Sequence, residues 1–160
     1  MNALELMKQD HRRVTALFNQ FDETQDRMTQ KDLFAEIKDE FEAFTNVEET
    51  LVYPTLGRYE GLQEVVREAY EEHRQAKILM REIERLIEGN QHFDHKLKIL
   101  GDNLEHQFEE EENVMFTRAK RIFNNEELEW LGEDLEIAKE RFQTVYQKRS
   151  TAAGGRADDD

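Results

Sequence analysis

The sequence predicts an all-α protein, an antiparallel up-down four-helix bundle followed by one additional C-terminal helix. Along five segments the apolar residues recur at intervals of three and four, which is the spacing of one helix face. One proline and seven glycines in 160 residues leave few helix breakers. No segment shows the apolar–polar alternation of a half-buried strand, so no β-structure is expected.

Composition limits the classes of function. Charged residues make up 37% of the chain, but the apolar residues between them recur at regular intervals, which indicates amphipathic helices and not disorder. The net charge of −15 argues against nucleic acid or an anionic membrane as a partner, because phosphates attract a surplus of Lys and Arg. No apolar run approaches the roughly 18 residues that span a bilayer. The chain has no cysteine, which fits a cytoplasmic protein and leaves only His and carboxylates to hold a metal.

The predicted helices each carry one apolar stripe and cover residues 2–22, about 30–53, 62–88, 91 to 117 or beyond, and 125–148. Thr29 is the expected N-cap of the second helix, since an acidic residue follows three positions later. Pro54 is expected to end or kink this helix, because proline disfavours the helical conformation of the residue before it.

These boundaries predict three parts of the chain. Residues 1–123 form the bundle, residues 125–148 form a helix that packs on it, and residues 150–160 form a disordered tail without apolar periodicity. Aromatic residues on the terminal helix can pack on the bundle or form a dimer contact, so a monomer or a homodimer is expected.

A duplicated stretch organises the bundle. Residues 44–54 and 107–117 both contain a Glu-Glu pair followed by apolar residues and an aromatic residue. The first glutamate of each pair, Glu48 or Glu111, falls on the apolar stripe of its helix. An ionised carboxylate facing a core is costly unless it is paired or binds a metal, so the two glutamates require a common partner.

Two histidines on apolar stripes supply that partner. Glu48 follows His11 by 37 residues, and Glu111 follows His73 by 38. The chain therefore consists of two helical hairpins, each with one inward His and one inward Glu, which converge at one level of a bundle. Singly, each would be an ordinary core histidine or boundary glutamate. Together they suit a cation such as iron, manganese or zinc, with a metal-free His–Glu network as the alternative.

Short motifs then show a resemblance to a known family: Asp10-His11, Glu48-Glu49 ahead of Tyr53-Pro54, Glu72-His73, and Glu105-His106 leading to Glu111-Glu112. They resemble the hemerythrin-like (HHE cation-binding) domain over roughly residues 1–120. The resemblance implies a four-helix bundle with a non-haem di-iron centre bridged by two glutamates. It also implies proteins that bind or sense dioxygen, nitric oxide or peroxide, or that handle iron.

By this resemblance the metal ligands are His11, Glu48, His73 and Glu111. Two further family histidines are absent, because Phe44 and Gln107 stand at their positions. The departures leave three interpretations: a mononuclear site, a di-iron site completed by water or an exogenous ligand, and a metal-free bundle that serves as an interaction or sensory module. The sequence does not decide whether the protein is an enzyme.

The remaining acidic and histidine residues near the second motif are expected at the surface. In the run Glu109–Glu112 only Glu111 is expected to face inward, and the others to form a solvated face. His106 lies one residue from the family position and about 100° around the helix from it, so it is predicted to be a flanking residue.

Overall fold

The computed structural model describes the backbone of residues 1–157 and the side chains of residues 1–146. This part of the chain is helical without any strand, which confirms the predicted all-α class. The helices are α1 (Ala3–Glu23), α2 (Arg27–Val47), α3 (Tyr53–Leu56), α4 (Gln63–Glu88), α5 (Asp94–Glu110), α6 (Phe116–Ile122) and α7 (Asn125–Ala157). Two π-helical turns, Glu48–Val52 and Glu111–Met115, and a 3₁₀ turn, Glu60–Leu62, connect some of them.

Four long helices form a closed ring. Helix α1 packs on α2, α2 on α4, α4 on α5, and α5 on α1. Short connections between consecutive helices make these neighbours antiparallel. The architecture is therefore the predicted four-helix bundle, with α7 lying across α1 and α2.

Helix α2 begins earlier than the sequence predicted. Its N-cap is Asp26, whose carboxylate accepts hydrogen bonds from the backbone N–H and the hydroxyl of Thr29. The prediction of Thr29 as the cap was wrong, because an aspartate three residues earlier satisfies the free N–H groups of the first turn.

Both duplicated segments contain a π-helical turn, which the 3.6-residue periodicity did not predict. The backbone N–H of Tyr53 donates to the carbonyl of Glu48, and that of Phe116 donates to Glu111, five residues back in each case. The helical path then continues through Pro54 to Leu56. Pro54 thus does not end the helical path, since it lies in the first turn of α3, where proline is tolerated.

A buried polar layer divides the core into two apolar clusters. The first cluster contains residues from the start of α1 and from α3, α6 and α7, among them Leu4, Met7, Leu56, Phe116 and Leu131. The second contains residues from the opposite half of the bundle, among them Val14, Ile37, Phe41, Met80 and Leu104. The polar residues between them are therefore enclosed by apolar side chains on both sides.

Helix α7 is fixed against the start of α1. At Gly132 a Cβ atom would clash with the backbone carbonyl oxygen of Met1, so the close approach requires glycine. The buried carboxylate of Asp10 pairs with Lys139 on α7 and with Arg13 on its own helix. These contacts attach the terminal helix directly beside the polar layer.

The terminal helix extends to Ala157 and not only to residue 148. Residues 158–160, and the side chains from residue 147 onward, lie outside the described part of the chain, so the predicted disordered tail at 150–160 stays a prediction. Among the described helices, none has an uncharged apolar stretch long enough to cross a bilayer.

Candidate metal centre

The four residues predicted as ligands all lie in the buried polar layer. His11 lies in the middle of α1 and His73 in the middle of α4, whereas Glu48 and Glu111 each open a π-helical turn. Their exposed fractions are 3% or less, so all four are removed from bulk water. The helices of the two hairpins thus bring together the residues that the spacing predicted.

Each histidine contacts a glutamate of the other hairpin. The Nε2 atom of His11 lies 3.0 Å from Oε2 of Glu111, and Nε2 of His73 lies 3.1 Å from Oε2 of Glu48. Single donor atoms of His11, Glu48 and Glu111 lie within 4.8 Å of one another, a spacing compatible with one cation. His73 lies outside that trio and joins the group through Glu48.

A tyrosine occupies the centre of the group. The Tyr53 hydroxyl lies 2.9 Å from Oε2 of Glu48 and within hydrogen-bond distance of Oε1 of Glu111, either of which can accept its proton, and 3.1 Å from Nε2 of His73. One hydroxyl proton cannot serve two carboxylates at once, so the phenol oxygen has more acceptors around it than it can satisfy.

The sequence analysis missed Tyr53 as a site residue, although the duplication contained the signal. Tyr53 and Phe116 are the aromatic residues at equivalent positions of the two motifs, 63 residues apart. Only the first of them carries a hydroxyl, and buried tyrosine hydroxyls require a polar partner.

The second glutamate of each Glu-Glu pair lies behind a histidine. The Nδ1 atom of His73 is 3.8 Å from Oε1 of Glu49, and Nδ1 of His11 is 3.8 Å from Oε2 of Glu112. The prediction of a fully solvated Glu112 was therefore wrong, since its side chain is only 32% exposed and faces the ring. At this distance neither Nδ1 atom forms a hydrogen bond, but each carboxylate lies on the side of the ring where the outer partner of a metal-binding histidine is found.

The two positions that depart from the family have different surroundings. Phe44 lies edge-on to His73 at 6.3 Å between ring centroids and supplies no donor. Gln107 is 2% exposed, and its Nε2 atom has no hydrogen-bond partner. His106 has a side chain that is 70% exposed, outside the buried group.

The pKa values of the groups in the buried layer reflect both their burial and the charges of the neighbouring glutamates. Burial lowers the pKa of His73, but hydrogen bonds and attraction from Glu48 and Glu49 outweigh it and raise the pKa to about 9. The pKa of His11 is likewise raised, because its hydrogen bond with Glu111 and nearby carboxylates outweigh burial. Burial and repulsion from Glu111 raise the pKa of Glu48. Burial and the charges of both glutamates hold the pKa of the Tyr53 phenol well above its usual value.

The raised pKa of His73 predicts a pH-dependent stability of the metal-free protein. Because about 9 exceeds the ordinary 6.5 of the unfolded chain, the stabilisation is complete below pH 6.5 and is lost as the pH rises through about 9. We expect urea denaturation of chelator-treated protein to show a fall of about 1–3 kcal/mol over that range. His73→Gln should flatten this profile, whereas His106→Gln should leave it unchanged; equal profiles for wild type and His73→Gln would contradict the assignment.

Comparisons with known proteins agree with this geometry. The family model described as the hemerythrin HHE cation binding domain matches residues 2–119. A protein of Nostoc sp. (strain PCC 7120 / SAG 25.82 / UTEX 2576) named DNA nickase is 23% identical over 154 residues, which are 96% of this chain and 44% of that protein. The chain thus spans less than half the length of this relative. No solved structure shows significant similarity to the chain.

Proposed function

Because this chain belongs to the hemerythrin HHE cation binding domain family, we propose that it binds a non-haem transition metal in the core of its bundle. Iron is the first choice, and manganese or zinc would suit the same donors. The observation that carries the proposal is the meeting of two imidazole nitrogens and two carboxylates, from four different parts of the bundle, in one buried layer.

The donor set fits such a cation. His11 and His73 direct Nε2 toward the inner glutamates, while their Nδ1 atoms face the outer ones, Glu112 and Glu49. This inner and outer arrangement is typical of histidines that bind metals. The carboxylates of Glu48 and Glu111 would neutralise the charge of the cation.

We include the Tyr53 oxygen as a fifth donor. It lies beside both inner carboxylates and Nε2 of His73. Because position 44 is phenylalanine, this oxygen takes the place of the nitrogen donor that the missing histidine would have supplied. Of the three interpretations drawn from sequence, this fifth donor favours a metal site, with one or two ions, whose coordination is completed by the chain's own residues.

Iron held there would supply redox chemistry and affinity for dioxygen, nitric oxide or peroxide, as the family resemblance suggests. The chain's own residues would bind the ion and restrict water. The Phe108 ring stacks on His11 with a centroid distance of 4.0 Å, and Phe44 packs edge-on against Phe108. Such an apolar wall strengthens electrostatic interactions inside the site.

Metal analysis of anaerobically iron-loaded, desalted protein tests the proposal. We expect at least about one metal ion per chain, which an anomalous-scattering map would locate between His11 and His73. Less than about 0.2 ion per chain after loading with iron, manganese and zinc in turn would contradict it. That result would favour the alternative, a metal-free interaction or sensory module in which imidazolium groups neutralise the glutamates.

The DNA-nicking activity in the name of the Nostoc relative is a weaker candidate for this chain. The match covers 44% of that protein, so the activity need not belong to the shared part. The net charge of −15 also opposes binding to a phosphate backbone.

A further inference from the structure

An acidic cleft between α4 and α5 leads to the buried layer. It is lined by Glu68 and Glu72 of α4, by Gln107 and Glu110 of α5, and by Glu111, and no Lys or Arg is among its lining residues. Its volume is about 60 Å³, which is room for about two water molecules. Glu72 and Glu110, from the two facing helices, both line it.

The inner end of the cleft carries an unsatisfied polar group. Gln107 lines the cleft, is 98% buried, and its Nε2 atom has no hydrogen-bond partner in the described structure. An unpaired buried amide costs free energy, so a partner that Gln107 could contact in the cleft would be stabilising. A 180° rotation of the amide exchanges its nitrogen and oxygen, which would place a carbonyl acceptor where a cation could contact it.

The lining of the cleft runs from exposed to buried side chains. Glu68 and Glu110 are exposed, whereas Gln107 and Glu111 are buried. His106 is not among the lining residues, and its Nε2 atom lies 3.4 Å from Oε1 of Glu110, one helical turn away. Carboxylate and amide groups thus lead from the surface through Glu110 and Gln107 to Glu111.

Two other openings near the centre suit a cation less well. A groove between α1 and α5 reaches His11, and its lining has one basic residue, Arg12, beside three glutamates, Glu105, Glu109 and Glu112. The Phe108 ring that stacks on His11 also lines it. A wider groove beside α7 has a lining in which three basic residues balance three glutamates: Lys38, Lys77, Arg81, Glu42, Glu49 and Glu84. A lining without net charge attracts a cation less than the acidic cleft does. Of these three openings, the acidic cleft has the most negative lining, with four glutamates and no Lys or Arg.

We propose that the acidic cleft is a transient binding site for a divalent cation and its access route to the buried centre. The proposal rests on the metal binding proposed above. Carboxylates at Glu72 and Glu110 would concentrate the cation at the mouth and remove part of its water shell. Gln107 would then hold it before Glu111 receives it.

Rapid mixing with Fe²⁺ under anaerobic conditions tests this route. The protein is mixed with Fe²⁺, quenched with excess chelator at increasing times, desalted, and analysed for bound iron. For the Glu72→Gln/Glu110→Gln double variant we expect an uptake rate about 10-fold below wild type at low salt. The difference should shrink in 1 M salt, where charges are screened beyond about 3 Å. The iron bound at saturation should stay unchanged.

Two matched controls separate the possible outcomes. Glu109→Gln removes one charge from the neighbouring position on α5, which lines the groove with Arg12, and Glu105→Gln/Glu109→Gln removes two from that groove. Both should take up iron at the wild-type rate. Equal rates for wild type and the Glu72/Glu110 variant, or slower uptake in the controls, would overturn the access route while leaving the metal centre intact. Wild-type protein that binds no iron at any time would overturn both proposals.

Discussion

Replacing Glu111 with alanine is expected to abolish metal binding, and replacing Glu48 is expected to do the same. Glu111 contacts His11 through Oε2 and Tyr53 through Oε1, and Glu48 contacts both His73 and Tyr53 through Oε2. Either change removes a negative charge and one oxygen donor from a layer without bulk water. Loss of an outer partner of a metal ligand typically costs 10–100-fold in affinity, so loss of an inner carboxylate should cost more than about 100-fold.

The first measurement is the amount of iron that each variant retains after anaerobic loading and desalting. Calorimetric titration then gives its affinity for iron. Glu109→Ala is the matched control, because Glu109 is an exposed residue of the same helix and the substitution removes the same charge. Circular dichroism of each metal-free variant should show the wild-type helix content. If either variant retained a full equivalent of iron at wild-type affinity, the metal would have to lie outside this layer.

The sequence contained enough to predict the bundle and the four inward groups. Helical spacing of apolar residues fixes which face of each helix is buried, and a buried charged group on such a face stands out. The near-equal separations, 37 residues from His11 to Glu48 and 38 from His73 to Glu111, then implied that the groups share one level. The two histidines and two glutamates lie together mainly because of regular helix geometry, and the spacing of apolar residues describes that geometry well.

What the sequence did not reveal depends on departures from regular helix geometry. Each π-helical turn shifts the residues after Glu48 and Glu111 around the axis, and projections with 3.6 residues per turn do not include this shift. The shift directs the Tyr53 hydroxyl into the polar layer, five residues after Glu48. Glu112 was misassigned for a different reason, because its contact with His11 depends on the position of α1, which the periodicity of its own helix does not describe.

The hydroxyl of Tyr53 gives the second large expected effect. A phenol oxygen that coordinates iron(III) produces a charge-transfer absorption band in the visible region. Without a metal, neither a phenol nor a phenolate absorbs visible light, so the metal-free protein should be colourless. Iron(III)-loaded wild-type protein should show the band, and Tyr53→Phe should lose it completely while keeping at least part of its iron.

Tyr70→Phe provides the control for this spectrum. The ring of Tyr70 lies 5.2 Å from that of Tyr53, but its hydroxyl donates to the backbone carbonyl of Glu49, away from the inner donors. This variant should therefore keep the visible band at full intensity. Resonance Raman excitation within the band should enhance phenolate vibrations in wild type and in Tyr70→Phe alone. A band that survives in Tyr53→Phe would exclude the phenol as a ligand, and the site would then consist of the two histidines and two glutamates with solvent.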